Sequence, residues 1–460
     1  MHIKITKGLD IPIEGAPQGY IKPLILSGEA SSKIPKYIAL SLKEFEDLKF
    51  RLLIAVGDTV KIGQPLTEDK STPGRMFVSP AAGIIHEIRR GAKRSLQEIV
   101  IAVASTEEYL ELSPLDLKVA TREQLIERLL LGGIFSIIRA RPFNLLADPE
   151  KIPRSIFVKA LESAPFVPPA EMQILGNEKE FQLGLNALAM LTSGFVHLVY
   201  RQNTPCKAFL EALNVEKHTA EGPHPVSNNS VHIQKIDPIQ TPNDNIWTLS
   251  ALDVVIIGHL IAKGRCFTER IISIGGPGIL AEREGYFKLR AGFPIEMLVS
   301  GRIKKGAMRL VSGDPLMGQK VNPEDFLGFC HTAFCVIPEN EEREFLHFFG
   351  IGLNKYSFSK AYISGHVDNT ERRYPFTTNQ HGEHRAFIDS TLYDKVMPLK
   401  VPTMLLVKAV MAEDFELAET LGLLEVDSED FALPTFVCPS KMEMTDIIKK
   451  GMKQYAHELA

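Results

Sequence analysis

Residues 51–104 leave little room for anything but a small β unit. Short β-branched runs are cut by turn pairs: RLLIAVGDTVKIGQPL, then FVSPAAGIIHEI, then QEIVIAV. Runs of this length between Gly-Asp and Pro-x-x-Gly read as strands and hairpin turns. A unit of about fifty residues cannot account for a 460-residue chain, so two to four compact domains are expected.

The flanking text changes character. Residues 1–45 alternate apolar runs with Gly and Pro, as in GLDIPIEGAPQGY, and predict an irregular arm with a few strands and no helix. After the β unit, Leu125, Ile126, Leu129 and Leu130 recur at helical spacing, with Thr121 placed as a cap. SIFVKAL and FVHLVYR predict strands, and residues 178–191 and 250–262 predict helices, an alternation that points to an α/β layer. Beyond Gly264, ERIISIGG, YFKLRAG and MRLVSGD surround a short helix at 294–299, the pattern of a small α+β module. The tail is helical: residues 445–459 place Ile447, Ile448, Met452, Tyr455 and Leu459 along one face, which must pack on something.

Composition narrows the function. A net charge of −4 without a basic stripe argues against a nucleic-acid partner. Five cysteines form no even disulfide framework, and MHIKITKGLD has no secretory pattern, so a reducing cytoplasmic setting is expected. The most apolar stretch, 247–262, contains Asp253 and His259 and falls short of the ~20 clean residues a membrane span needs; it reads as buried core. A role at a membrane would require partner subunits.

Several motifs invite chemistry. GDTVKIGQPL with SPAAGIIHEI resembles the hammerhead of biotinyl and lipoyl carrier domains, in which a hairpin lysine carries the cofactor. Lys70 occupies such a place, but the interval from Gly57 is short and no Met-Lys-Met is present, so it reads as an exposed charge shielding an edge. LGGIFSIIRARPF, residues 131–143, stands where the NADH-binding flavoprotein of respiratory complex I and its counterpart in the Rnf complex carry a glycine-rich flavin loop. That loop needs glycines so that backbone amides can approach a phosphate, whereas Ile137, Ile138, Arg139 and Arg141 are bulky. No Gly-x-Gly-x-x-Gly follows a strand, which leaves no nicotinamide site. Cys438 in LPTFVCPSKMEM resembles the remnant of a four-iron cluster motif, yet a cluster needs four thiolates. Cys330 and Cys335 read as ordinary buried thiols, and His381 and His384 lack the one-turn spacing of a zinc helix. His224, between Pro223 and Pro225, reads as architectural.

KGLDIPIEGAP, SPAAGIIHEIRRGAKRSLQ, RARPF, EGPHPVSNNSVHIQKIDP, RLVSGDPLMGQ, DKVMPL and FVCPSKMEM, in this order from residue 3 to the last helix, resemble the family of the large peripheral subunit, the NqrA family, of sodium-translocating NADH:quinone oxidoreductases. The polar run from Val226 to Ser230 departs from the family's small-residue text.

The resemblance implies an arm at 1–45, a barrel-sandwich hammerhead at 46–105 and a Rossmann-like α/β domain without a flavin site at 106–263. A β-grasp-like module at 264–325, a mixed region at 326–394 left without architecture, and a helical C-terminal domain without an iron–sulfur cluster at 395–460 complete the division. It implies a peripheral subunit on the cytoplasmic face of the bacterial inner membrane, held by membrane subunits of one complex, especially the quinone-handling one. That complex oxidises NADH, reduces ubiquinone and exports sodium. The chain itself is expected to bind no cofactor and no metal, and to be inactive alone, with NAD, flavins and iron centres handled by other subunits. A quinone needs an apolar or aromatic contact and donors for its carbonyl oxygens, and Arg139, Arg141 and Phe143 supply both in one loop. Two readings compete: the arginines pair with carboxylates or a neighbouring subunit while Phe143 fills core, making the chain a scaffold, or the chain is a lipoyl or biotin carrier modified at Lys70.

Overall fold

Residues 1–24, 35–341, 350–367 and 371–459 are described by a computed structural model. The first β unit is two small sheets packed face to face. One runs Tyr37–Ser41, Leu96–Val103, Gly83–Arg90, Thr59–Val60, and the other Phe50–Leu52, Pro65–Asp69, Met76–Val78. Ile38, Leu40, Leu66, Phe77, Ile85, Ile99 and Ile101 fill the space between them. Alternation along each strand sends these residues inward and the charged ones out. Glu98 is an exception, fully buried, and so are Glu68 and Asp69, buried beside Lys70, which is exposed at the start of the hairpin turn. Asp69 is paired with Arg75 at 2.7 Å, Glu68 is paired with Arg51, and Arg75 also donates to the Ala147 carbonyl, which ties this unit to the next.

The next layer is a seven-stranded sheet in the order His2–Lys4, Glu216–Glu221, Val196–Arg201, Ser155–Ala160, Ile246–Ser250, Arg139–Arg141, Leu145–Leu146. The first five strands run parallel, Arg139–Arg141 runs against them, and Leu145–Leu146 pairs antiparallel with Arg139–Arg141. The strand at the arm's beginning is thus the sheet's edge, which nothing in its three-residue length announces. The helix Ala251–Lys263 starts because Ser250 and Asp253 form a capping box, and stops at Gly264 with φ 62°, the left-handed cap that glycine adopts freely. It crosses the Glu178–Leu191 helix with backbones in contact: a Cβ on Gly258 would lie 1.7 Å from the Glu180 carbonyl oxygen.

Each sheet face has its own core. Ile156, Val158 and Leu198 pack with Phe181, Leu185, Val254 and Ile257 of the two helices. Phe157 and Val199, on the opposite pleat, pack with Leu406, Val407, Phe431 and Ile448. The helical tail therefore covers the second face of the α/β sheet. Within the tail the helix Phe415–Thr420 is short, because Gly422, at φ 97°, turns the chain into a separate 3-10 turn.

A third sheet holds Gln319–Val321, Met308–Ser312, Ala333–Pro338, Glu269–Gly275, Gly285–Arg290 and Ile21–Lys22 in that order. Ala333–Pro338 lies in the stretch without a sequence assignment, yet it is a central strand, parallel to Glu269–Gly275 and antiparallel to Met308–Ser312. It is a continuous apolar run, AFCVIP, as a strand covered on both faces should be.

Candidate functional site

The strands Ser155–Ala160, Val196–Arg201, Glu216–Glu221 and Ile246–Ser250 stand in the spatial order third, second, first, fourth. The order reverses between the first and fourth, and a crevice opens beyond their carboxyl ends. It has a volume of ≈ 260 Å³ and is walled by the α/β layer, the third sheet's module and the helical tail.

Lys159, at the end of the first strand, is paired with Glu162 at 3.0 Å. Burial opposes its charge, but neighbouring carboxylates, Glu162 first among them, outweigh it and hold the ammonium above its ordinary range. His224 shares a 3.0 Å hydrogen bond with Ser163, and burial then Lys159 push its imidazole down to about 4, so it is neutral. Across the crevice, Asp314 Oδ1 accepts from the Leu316 and Met317 amides, and His331 Nδ1 meets Ser312 Oγ at 2.9 Å. Glu429 comes from the 3-10 turn Ser428–Phe431 of the tail.

A smaller, mainly apolar cavity of ≈ 60 Å³ adjoins, lined by Val78, Gly132, Gly133, Cys266, Phe267 and Phe329 among others. Ile137 and Arg270 line both. Arg270 donates to the Phe329 carbonyl, and its guanidinium lies 6.0 Å from that ring. The two glycines have a packing reason. A Cβ on Gly132 would come within 2.2 Å of Leu260, and Gly133, at φ 74°, turns against Val78. They let the β unit sit close on the helix, and no anion is needed to explain them.

The loop singled out from sequence spreads in three directions, and none of its three candidates lines either cavity. Arg139 stacks over Phe45 at 5.4 Å, and Phe45 meets Phe329 edge-on at 5.2 Å. Arg141 is 2% exposed and donates to Ser230 Oγ at 2.8 Å, to the Val426 carbonyl at 2.5 Å and to the Pro142 carbonyl. Phe143 packs edge-on against Tyr455 at 5.9 Å. Sequence reading missed Lys159, Glu162, Arg270, Asp314, His331 and Glu429. The position of Lys159 at the end of a readable strand was the one available hint, but strand order is needed to use it.

A flavin phosphate does not suit these residues. The Ala251–Lys263 helix points its start into the crevice, but Asp253 accepts from the Ser250 amide and hydroxyl there and sets a carboxylate where an anion would sit. Among the described residues no group of three or more His, Cys, Asp and Glu is arranged to hold a metal. Cys438 is buried with Tyr393 Oη at 3.2 Å from its sulfur.

Comparison with known proteins settles the kinship. The chain matches family models described as the NqrA N-terminal barrel-sandwich hybrid domain over residues 3–104, the NqrA second alpha/beta domain over 120–266 and the NQRA C-terminal domain over 271–322. The corresponding Na(+)-translocating NADH-quinone reductase protein from Chlamydia caviae is 36% identical, covering 100% of this chain and 97% of its own. The chain belongs to the NqrA family of Na(+)-translocating NADH-quinone reductase subunits. Another member, from Tolumonas auensis, is 36% identical over 97% of this chain and 98% of its own. An NAD+-reducing [NiFe]-hydrogenase structure is matched over 47% of each chain at 12% identity and a TM-score of 0.35, too remote to argue from. The NqrA relatives are named as parts of an oxidoreductase complex, and this chain is a mixed α/β multidomain member with a barrel-sandwich at its start.

Proposed function

We propose that this chain is the peripheral NqrA component of a bacterial respiratory complex that couples NADH oxidation and ubiquinone reduction to sodium export, and that it handles quinone there. The observation that carries the reading is likeness to NqrA proteins from end to end. In this reading flavins, iron centres and the sodium path belong to other subunits. Membrane subunits, the quinone-handling one above all, hold the chain on the cytoplasmic face of the inner membrane. No helix among the described residues is long and apolar enough to cross a bilayer.

The α/β layer is read as one Rossmann-like half, and the third sheet's module as a β-grasp. Ligands of open α/β sheets bind outside the strand ends where the order reverses, so the quinone headgroup is assigned to the crevice. The adjoining apolar cavity takes the start of the isoprenoid tail. Arg139, Arg141 and Phe143 serve this site from behind. Arg139 steadies the Phe45–Phe329 pair beside Arg270, Arg141 holds the backbone just before the turn that carries Glu429, and Phe143 braces the last helix.

Affinity for a ubiquinone analogue, measured by calorimetry on the full chain and on the assembled complex, tests this. Replacing Arg139 and Arg141 together by Ala is expected to weaken binding at least several-fold; unchanged affinity with intact assembly removes both from the site. A scaffold reading draws support from the placement of these three residues outside both cavities, and it predicts no quinone binding at all. A carrier reading predicts added mass on Lys70.

A further inference from the structure

Most polar groups on the crevice wall are already engaged; among the described residues the side chains of Thr332, Cys330 and Glu429 are the ones without a hydrogen-bond partner. Lys159 is engaged by Glu162, Asp253 by Ser250, His224 by Ser163, His331 by Ser312, and Arg270 by the Phe329 carbonyl. Asp314 holds two backbone amides. The carboxyl of Glu429 has no hydrogen-bond partner among the described residues, although it is half-buried and lines the crevice.

We propose that Glu429 is the hydrogen-bond donor that this crevice presents to a quinone carbonyl oxygen. The inference rests on the quinone reading above and adds the group that tells quinone from quinol.

A quinone oxygen can only accept, so its partner must carry a hydrogen. An ionised carboxylate would repel it; a protonated one binds it. The surroundings of Glu429 favour the protonated form. It sits on a short turn between Asp427 and Asp430, with Lys159 facing it from the sheet and Arg141 behind it. Glu162 and Asp314 stand on the same wall as Lys159 and across from it. The helix Met444–Glu458, packed on this turn, contributes the apolar Ile448 and Met452 to the core that holds Phe431. Burial, helped by the two aspartates and opposed by Lys159 and Arg141, pushes the carboxyl up to about 8. A carboxylic acid kept neutral at physiological pH can donate to an oxygen that only accepts.

The group also reverses its preference. Above its pKa it becomes an acceptor, suited to the two O–H groups of a quinol and unsuited to a quinone. Product and substrate are thus sorted by one proton.

The test is the dissociation constant of a short-chain ubiquinone analogue for the full chain and the assembled complex, from pH 6.5 to 9.5. Wild type is expected to bind with constant affinity up to about pH 7.5 and then to lose about tenfold per pH unit. Glu429→Gln keeps an N–H donor but cannot ionise, so its affinity at pH 7 stays within about threefold and remains flat to pH 9.5. Glu429→Ala binds about tenfold more weakly at pH 7 and is also flat. A flat wild-type profile, or a Glu429→Gln protein that keeps the wild-type slope, overturns the proposal. Met317→Trp, which narrows the rim at a residue 38% exposed, separates this failure from that of the quinone reading. If it leaves binding untouched, or if wild type binds no quinone, the crevice is not the quinone site and the role of Glu429 falls with it. If it blocks binding while Glu429→Gln keeps the slope, only Glu429 is wrongly assigned.

Discussion

Gly258→Ala should destabilise this chain although alanine is the better helix former. In an isolated helix the change would gain about 1 kcal/mol. Here the new Cβ would stand 1.7 Å from the Glu180 carbonyl oxygen and 2.9 Å from the Gly184 nitrogen. Both are backbone atoms and cannot swing aside. Restoring van der Waals contact means parting the two helices by roughly 1.5 Å, and a gap of about 1 Å already forfeits a quarter to a half of each contact's dispersion energy. The separated faces carry Phe181, Leu185 and Leu188 on one helix and Val254, Val255 and Ile261 on the other, all buried. Overpacking of this kind costs about 3 kcal/mol, which exceeds the helix gain. The net loss of about 2 kcal/mol corresponds, for a domain of this size, to a fall of about 4–8 °C in melting temperature. The chain's one tryptophan, Trp247, is fully buried in the same core, so its fluorescence follows the melting of this layer. A Gly258→Ala protein that melts at or above the wild-type temperature refutes the helix contact.

Two further outcomes are expected. Arg141→Met leaves the Val426 carbonyl and Ser230 without their partner and should lower stability by about 3 kcal/mol in urea unfolding, with Arg141→Lys recovering little because it lacks the planar fork; full stability of either protein would contradict the burial of this guanidinium. His218, His224 and His232 are each held by burial at about 4, below the ordinary 6.5, so between these values the unfolded chain binds protons that the folded chain refuses. Stability should therefore be complete above pH 6.5 and fall steadily towards pH 4, and a urea midpoint unchanged between pH 7 and 4.5 would show that these imidazoles are not excluded from water.

Local pattern was enough for much of the secondary structure. The helix Glu178–Leu191 follows from its apolar spacing, the helix Arg122–Leu131 from Thr121 and Gln124 at its start, and the strands Ser155–Ala160 and Val196–Arg201 from their β-branched runs. These signals lie within a few residues of each other and need no partner to be read. The strand Ile246–Ser250 was hidden inside the apolar stretch 247–262, because a buried strand and a buried helix look alike where no polar face interrupts them. Ala333–Pro338 was hidden for the same reason, and His2–Lys4 because three residues are too few to show alternation.

The candidate site was almost illegible. RARPF drew attention because charge and an aromatic ring are adjacent in the chain, yet folding sends Arg139, Arg141 and Phe143 to three different neighbours. The crevice gathers Lys159, Arg270, Asp314 and Glu429 from four separate parts of the chain. By itself the sequence determined the kinds of layer and the kinship with NqrA proteins. Only tertiary structure decided that the helical tail seals the second face of the α/β sheet and brings Glu429 opposite Lys159. Periodicity records which face of an element is buried; which element buries it depends on strand order and long-range packing, and no local window of residues contains that information.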